Sequence, residues 1–149
     1  MKTIWISDVL NGKYDGQKVE LKGWVKRSRG SNKIRFVVLR DSTGSIQCVA
    51  KRDTIGDDCF ESIKSALIES SLIIHGTANP DERAEGGYEI IVENVEIVGP
   101  VNPETPFPIT ESAMAAADGG ETEFLLDNRH LYLRTSRMTT MLKLRSTVF

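Results

Sequence analysis

At 149 residues the chain has room for one compact domain and an appendage. Its 27% charged and 40% hydrophobic residues are ordinary for a soluble globular protein. No apolar run nears the roughly 18 residues of a membrane span, and the opening MKTIWISDVL lacks the long apolar core and cleavage site of a secretory signal.

The net charge of −2 is unevenly laid out. Residues 18 to 52 hold ten basic and two acidic side chains, a local +8, which leaves −10 for the rest. A basic stretch in an acidic protein suggests a face for a polyanion, although long basic side chains also serve simply to solvate strands. Cys48 and Cys59 stand in no Cys/His cluster of metal-ligand spacing. They read as structural thiols in a reducing cytosol, with no metal implied.

The first half of the chain reads as strands. Lys18 to Arg29 alternates, with Val19, Leu21, Gly23 and Val25 on one face and Lys22, Trp24 and Lys26 on the other. Lys33 to Arg40 forms a second strand, Asp41 to Gly44 (DSTG) a turn, and Ser45 to Arg52 a third strand. A helix of about ten residues follows, opened by Asp58 and Glu61 at the spacing of a capping box, with Phe60, Ile63 and Leu67 at helical intervals. Leu72 to Ala78 is a fourth strand, NPDERAEGG a polar loop, and Tyr88 to Val98 a fifth strand with Ile90 and Val92 on one side. Three strands, a helix and two strands predict an all-β fold with one helix, the five-stranded Greek-key barrel of the OB class, over about residues 15 to 99. Four of the five prolines then fall at Pro100, Pro103, Pro106 and Pro108. Proline stiffens the backbone and removes donors, so an extended linker is expected there. The domain division predicted is 1–99, a linker over 100–123, and a separate segment over 124–149. Residues 109 to 123 read as a mobile or partly helical connector. The stretch from about Thr139 reads as a helix without a stop signal, suggesting a truncated chain.

On the second strand, Val37 and Leu39 share one face and Ile34, Phe36 and Val38 the other. If Val37 and Leu39 fill the barrel, Phe36 faces outward beside Gln47 on the third strand, while Ile46 and Cys48 point in. An outward ring beside an amide and arginines suits single-stranded RNA: the ring stacks a base, the amide meets a base edge, the cations meet phosphates. A shift of one residue in register would bury Phe36 and expose Val37 instead, and the pattern alone leaves both open. Glu89 on the fifth strand could accept bonds from base amino groups or be a plain surface carboxylate. His75 and His130 have no nucleophile or metal partner nearby in sequence and read as structural. Asp53, Asp57 and Asp58 read as helix-start charges.

Gly23-Trp24-Val25 followed by Arg27 and Arg29, then Phe36-Val37-Val38-Leu39-Arg40-Asp41, Gly44 and Gln47, resembles the anticodon-binding OB domain of class IIb aminoacyl-tRNA synthetases. The run FLLDNRHLYLR, Phe124 to Arg134, is similar to the start of their catalytic domain, and with Phe107-Pro108-Ile109 its wording is closest to the asparaginyl members. The resemblance covers essentially the whole chain. It implies that Phe36 stacks on the central uracil of an anticodon, that Gln47 and Arg29 read that base or its neighbours, that Arg27 lies near the backbone, and that Glu89 contacts an anticodon base. It implies the anticodon stem-loop of tRNA-Asn as partner, a cytoplasmic location and no membrane. ATP and Mg²⁺ are implied for the longer enzyme and no cofactor for this stretch. The motif arginine and glycine-rich arginine motif of the catalytic sheet are missing from the sequence. The final helix resembles the beginning of the dimer-forming motif one and stops before its proline. The chain by itself is therefore expected to be inactive, and a homodimer is expected only through the catalytic domain. An aspartyl enzyme, a stand-alone single-strand-binding OB protein and a paralogue making free asparagine remain as alternatives.

Overall fold

The computed structural model describes residues 4–109 and 122–149. Helix α1 (Ile6–Leu10) leads into strands β1 (Lys18–Gly30), β2 (Ile34–Arg40) and β3 (Ser45–Lys51). Helices α2 (Arg52–Ile55) and α3 (Asp57–Ser65) follow, then β4 (Ser71–Pro80) and β5 (Tyr88–Gly99). The strands close into a barrel in the order β1-β2-β3-β5-β4, with β3 and β5 parallel and every other pair antiparallel. This is the five-stranded OB barrel expected from the sequence.

Alternation decides what fills it. Val19, Leu21 and Val25 from β1, Val37 and Leu39 from β2, Ile46 and Cys48 from β3, Leu72 and Ile74 from β4, and Ile90 and Val92 from β5 are all buried in one core. Burial of apolar area stabilises such a core by about 25 cal/mol per Å². Ile63 of α3, together with Ile6 and Val9 of α1, belongs to the same core. Gly23 lies where β1 runs against β2: a Cβ there would sit 2.5 Å from the Arg40 carbonyl oxygen, so no larger residue fits.

Three local features depart from the sequence reading. Residue Lys26 forms a β-bulge, since the β1–β2 register shifts between Val25 and Arg27. The capping box is not formed: α3 has Gly56 as its N-cap with no side-chain cap bond, and Glu61 pairs with Arg52 and Lys64 instead. The guanidinium of Arg52 also bonds Asp57 and lies over the Phe60 ring, 4.5 Å from its centre, and these partners draw Glu61 away from the helix start. Helix α1 was not anticipated. The DSTG turn holds it: Asp41 accepts a bond from the Ile6 N–H at 2.9 Å, and Thr43 accepts one from Ser7 at 3.1 Å. The same Asp41 closes its own turn through the Thr43 and Gly44 N–H groups. One aspartate therefore fixes a turn and satisfies an orphan donor of a five-residue helix.

The chain divides into two compact units, to Pro106 and from Phe107. The second unit contains α4 (Thr122–Asp127), α5 (Arg129–Tyr132) and α6 (Ser136–Val148). Thr135 caps α6 by accepting a bond from Met138 N–H at 3.4 Å. Helix α6 thus starts one turn earlier than its apolar pattern suggested, and Met141, Leu142, Leu144 and Val148 are exposed. Most of the expected connector, residues 110–121, lies outside the described residues.

Candidate nucleic-acid interface

The register of β2 settles the first geometric question. Val37 and Leu39 are fully buried, and Phe36 is half-buried on the outer surface. On β3, Ile46 and Cys48 point inward and Gln47 outward. Burial raises the Cys48 thiol pKa to about 12, so the side chain stays neutral in the core.

Cross-strand pairing then lines up the outward residues in rows. One row runs Arg29, Phe36, Val49, Ile91 and Thr77 across β1, β2, β3, β5 and β4. The neighbouring row runs Arg27, Val38, Gln47, Glu89 and Asn79 across the same strands. Rows two residues apart along a strand are separated by about 7 Å, and adjacent strands by about 5 Å. Arg27, Arg29, Phe36, Gln47 and Glu89 therefore share one outer surface and fall in two adjacent rows.

The Lys26 bulge is what admits the two arginines to this surface. Strict alternation after Val25 would turn Arg27 and Arg29 to the inside. The extra residue shifts the parity, and both are exposed. The Arg29 guanidinium lies 5.7 Å from the centre of the Phe36 ring. Val49, the cross-strand partner of Phe36, is on the outward side of β3 and yet only 4% exposed, so Phe36 has an apolar neighbour beside it. The turn after Arg29 is tight. Gly30 has φ +147, and a Cβ on it would lie 2.2 Å from the Ile34 carbonyl oxygen.

Sequence reasoning missed Asn79. The polar run NPDERAEGG placed it in a loop, whereas β4 extends through Pro80. Its side-chain N–H₂ donates to Glu89 at 3.4 Å, a contact that orients the carboxylate on the outer face. Proline at the strand end disguised the extension. His75 lies on β4 at 3.8 Å from Glu20, and His130 is on α5. Asp53 falls in the first turn of α2, and Asp57 and Asp58 in that of α3. Among the described residues no group of three His, Cys, Asp or Glu side chains could hold a metal ion.

A closed five-stranded barrel with an aromatic ring, an amide, a carboxylate and two arginines gathered on one outer face defines a nucleic-acid-binding module of the OB class. Residues 19–98 match the family of tRNA anticodon OB-fold nucleic acid binding domains, and the chain belongs to that family. More particularly, it is an anticodon-binding domain homologous to asparagine–tRNA ligases. It is 45% identical over 144 residues to the asparagine–tRNA ligase of Thermoplasma acidophilum, covering 97% of this chain and 31% of that protein. The asparaginyl-tRNA synthetase of Pyrococcus horikoshii, in complex with asparaginyl-adenylate, superposes with a TM-score of 0.81 at 35% identity. That match covers 99% of this chain and 32% of the other. An aspartyl-tRNA synthetase from Entamoeba histolytica shares the fold, with a TM-score of 0.79 at 20% identity over 98% of this chain and 35% of the other. The chain thus spans about a third of the length of the relatives it matches.

Proposed function

We propose that this barrel reads the anticodon of tRNA-Asn for a longer asparagine–tRNA ligase. The observation that carries the reading is the gathering of Arg27, Arg29, Phe36, Gln47 and Glu89 in two adjacent rows of one outer face. In this reading Phe36 stacks on the central uracil, an interaction worth about 1–3 kcal/mol. Gln47 and Arg29 meet the edges of that base or a neighbour. Arg27 meets the backbone, where a cation positions the RNA without reading sequence. Glu89, oriented by Asn79, accepts bonds from the amino group of another anticodon base.

The longer protein would activate asparagine with ATP and Mg²⁺, esterify the tRNA end, and dimerise through its catalytic portion. The chain described here supplies binding and orientation of the anticodon arm only.

The test is the affinity of this chain for an anticodon stem-loop carrying GUU, set against the same loop with the central uracil changed to cytosine. The expected preference for GUU is about 1–3 kcal/mol, the usual penalty for one wrong base. Equal binding of both loops points to a generic single-strand binder and defeats the reading.

A further inference from the structure

Among the described residues, Glu69 is the one non-glycine with a positive φ, +71. This left-handed region is where glycine sits at no steric cost and other residues are strained. Glu69 lies in the corner that leads into β4, directly beside the Lys26 bulge. Its N–H donates to the Val25 carbonyl oxygen at 2.7 Å, and the Val25 N–H donates to the Ser70 carbonyl oxygen at 2.9 Å. Two corner residues thus oppose one residue of β1, the first of them left-handed, which is the pattern of a bulge that ordinarily takes glycine. Val25 therefore has an irregularity on each side: Glu69 and Ser70 facing it on the β4 edge, and Lys26 inserted after it against β2.

An ion pair that crosses β1 holds a glutamate in this glycine position. Trp24 of β1 is opposite Arg40 of β2 on one side and Ser71 of β4 on the other. The Arg40 guanidinium reaches across to the Glu69 carboxylate, whose two oxygens accept bonds from Nη2 at 2.9 and 3.0 Å. The side chains are only 25% and 13% exposed, so salt screens the pair less than a surface pair. Ser70 fastens the corner from its other end. It is fully buried, its N–H donates to the Leu67 carbonyl oxygen at 3.0 Å, and its hydroxyl accepts the Val101 N–H at 3.1 Å.

We propose that Glu69 is a positioning residue for RNA recognition: its left-handed corner, held by Arg40, fixes the Lys26 insertion and so aims Arg27 and Arg29 outward beside Phe36. The inference rests on the reading of that outer face as an anticodon-binding surface. Glu69 acts through the β1 backbone, since a carboxylate offers a phosphate nothing. With an ordinary extended residue in its place, regular pairing would run on to Lys26 opposite position 69. That would draw β1 straight through the point where it now buckles, and the parity that exposes the two arginines would be lost.

The test compares Glu69→Ala with Glu69→Gly in the 149-residue chain. Both remove the carboxylate and every contact it makes, but glycine keeps the left-handed corner without strain and alanine does not. Binding of the GUU stem-loop is measured across a salt series. Glu69→Ala is expected to bind several-fold more weakly, with a slope of log affinity against log salt lower by about 0.7 to 1.4, one or two phosphate contacts. Glu69→Gly is expected to recover most of both. Parent-like affinity and slope in Glu69→Ala, whatever its thermal midpoint, would make Glu69 merely structural and overturn the proposal. Equal losses in the two variants overturn it as well, because the carboxylate and not the corner would then matter. Should Glu69→Ala fail to fold, Glu69→Gly decides alone: a parent-like slope sustains the proposal and a reduced slope overturns it. A second readout needs no RNA. Labelling of Arg27 and Arg29 by an arginine-directed dicarbonyl, followed by mass spectrometry, is expected to fall in folded Glu69→Ala and to hold in Glu69→Gly; unchanged labelling in Glu69→Ala counts against the proposal. If the parent fails to prefer GUU, the anticodon reading falls, and the labelling still reports on the corner.

Discussion

Before the bulge at Lys26, β1 presents Lys22 and Trp24 to the outside; after it, Arg27 and Arg29. The first pair borders an apolar groove lined also by Trp5, Ile73 and Val98. The second borders Phe36, Gln47 and Glu89 on a surface rich in cations. Both patches grow from the same strand and cover the same core, so the difference between them is not one of fold. It lies in one inserted residue and in where each cation finds its partner. On the first patch the Glu20 carboxylate lies 3.1 Å from Lys22. The other has an aromatic ring with Arg29 near it. One strand thereby borders an apolar groove on one side of the bulge and the Phe36 surface with its two arginines on the other.

The most severe way to break this contrast is to remove the bulge. Deleting Lys26 restores strict alternation and drives Arg27 and Arg29 toward the barrel interior. A buried charge without a partner costs about 3–5 kcal/mol, so the deletion should lower the urea midpoint sharply. Lys26→Ala, which keeps the residue count, should stay within about 0.5 kcal/mol of the parent. A deletion variant as stable as the parent would show that parity is not what aims the arginines. The next largest effect is expected at Phe36→Ala. Binding of the GUU stem-loop should weaken by about 1–3 kcal/mol, while the thermal midpoint holds because the ring is outside the core. Unchanged binding, or an unfolded variant, would end the stacking assignment.

How much of this was legible in the sequence follows from the reach of each signal. Period-two alternation is local: it put Val37 with Leu39, Ile46 with Cys48 and Ile90 with Val92 on shared faces, all of them buried, but it left open which face of β2 turns inward. The barrel order followed from the count of strands and the single helix among them. The bulge was not legible, since KRSR after Val25 carries no glycine or proline to flag an extra residue. Nor was the loss of the capping box, because the partner that takes Glu61 is Arg52, nine residues upstream and folded back by α2. Helix α1 depends on Asp41 and Thr43, more than thirty residues away, and a five-residue helix has almost no signal of its own. The site residues were named from type and resemblance. Their gathering into two rows depends on the parallel β3–β5 pairing, a long-range contact that no local pattern displays.

A third prediction concerns the core that both patches share. Cys48 lies inside, between the outward residues Gln47 and Val49, and burial lifts its thiol pKa from the ordinary 9.0 to about 12. The sign follows from the proton count: above pH 9 the unfolded chain loses this proton and the folded barrel keeps it. The stability contributed by the neutral thiol is therefore complete below pH 9 and is lost as pH rises toward about 12. At one unit above 9 the loss is about 1.4 kcal/mol. Urea titrations of the parent and Cys48→Ala at pH 8 and pH 10 isolate it: the gap between the two proteins should narrow by about that amount. A gap that does not move with pH would mean the thiol reaches solvent in the folded state.

The smallest effect sharpens the comparison most directly, because it asks each patch the same question. A cation that meets a phosphate displaces a counterion, and each such contact adds about 0.7 to the slope of log affinity against log salt for single-stranded RNA. Arg27→Ala should lower the slope for the GUU stem-loop by about 0.7, equal to roughly 0.5 kcal/mol across a fourfold change in salt. Lys22→Ala should leave the slope where it was, although the lysine is the same strand's nearest exposed cation on the far side of the bulge. It lies 3.1 Å from the Glu20 carboxylate and lines the apolar groove, away from Phe36. Equal losses of slope from the two variants would mean that the RNA runs along the whole outer edge of β1 and that the bulge divides nothing. A loss confined to Arg27 would place the phosphate path on the Phe36 side of the bulge.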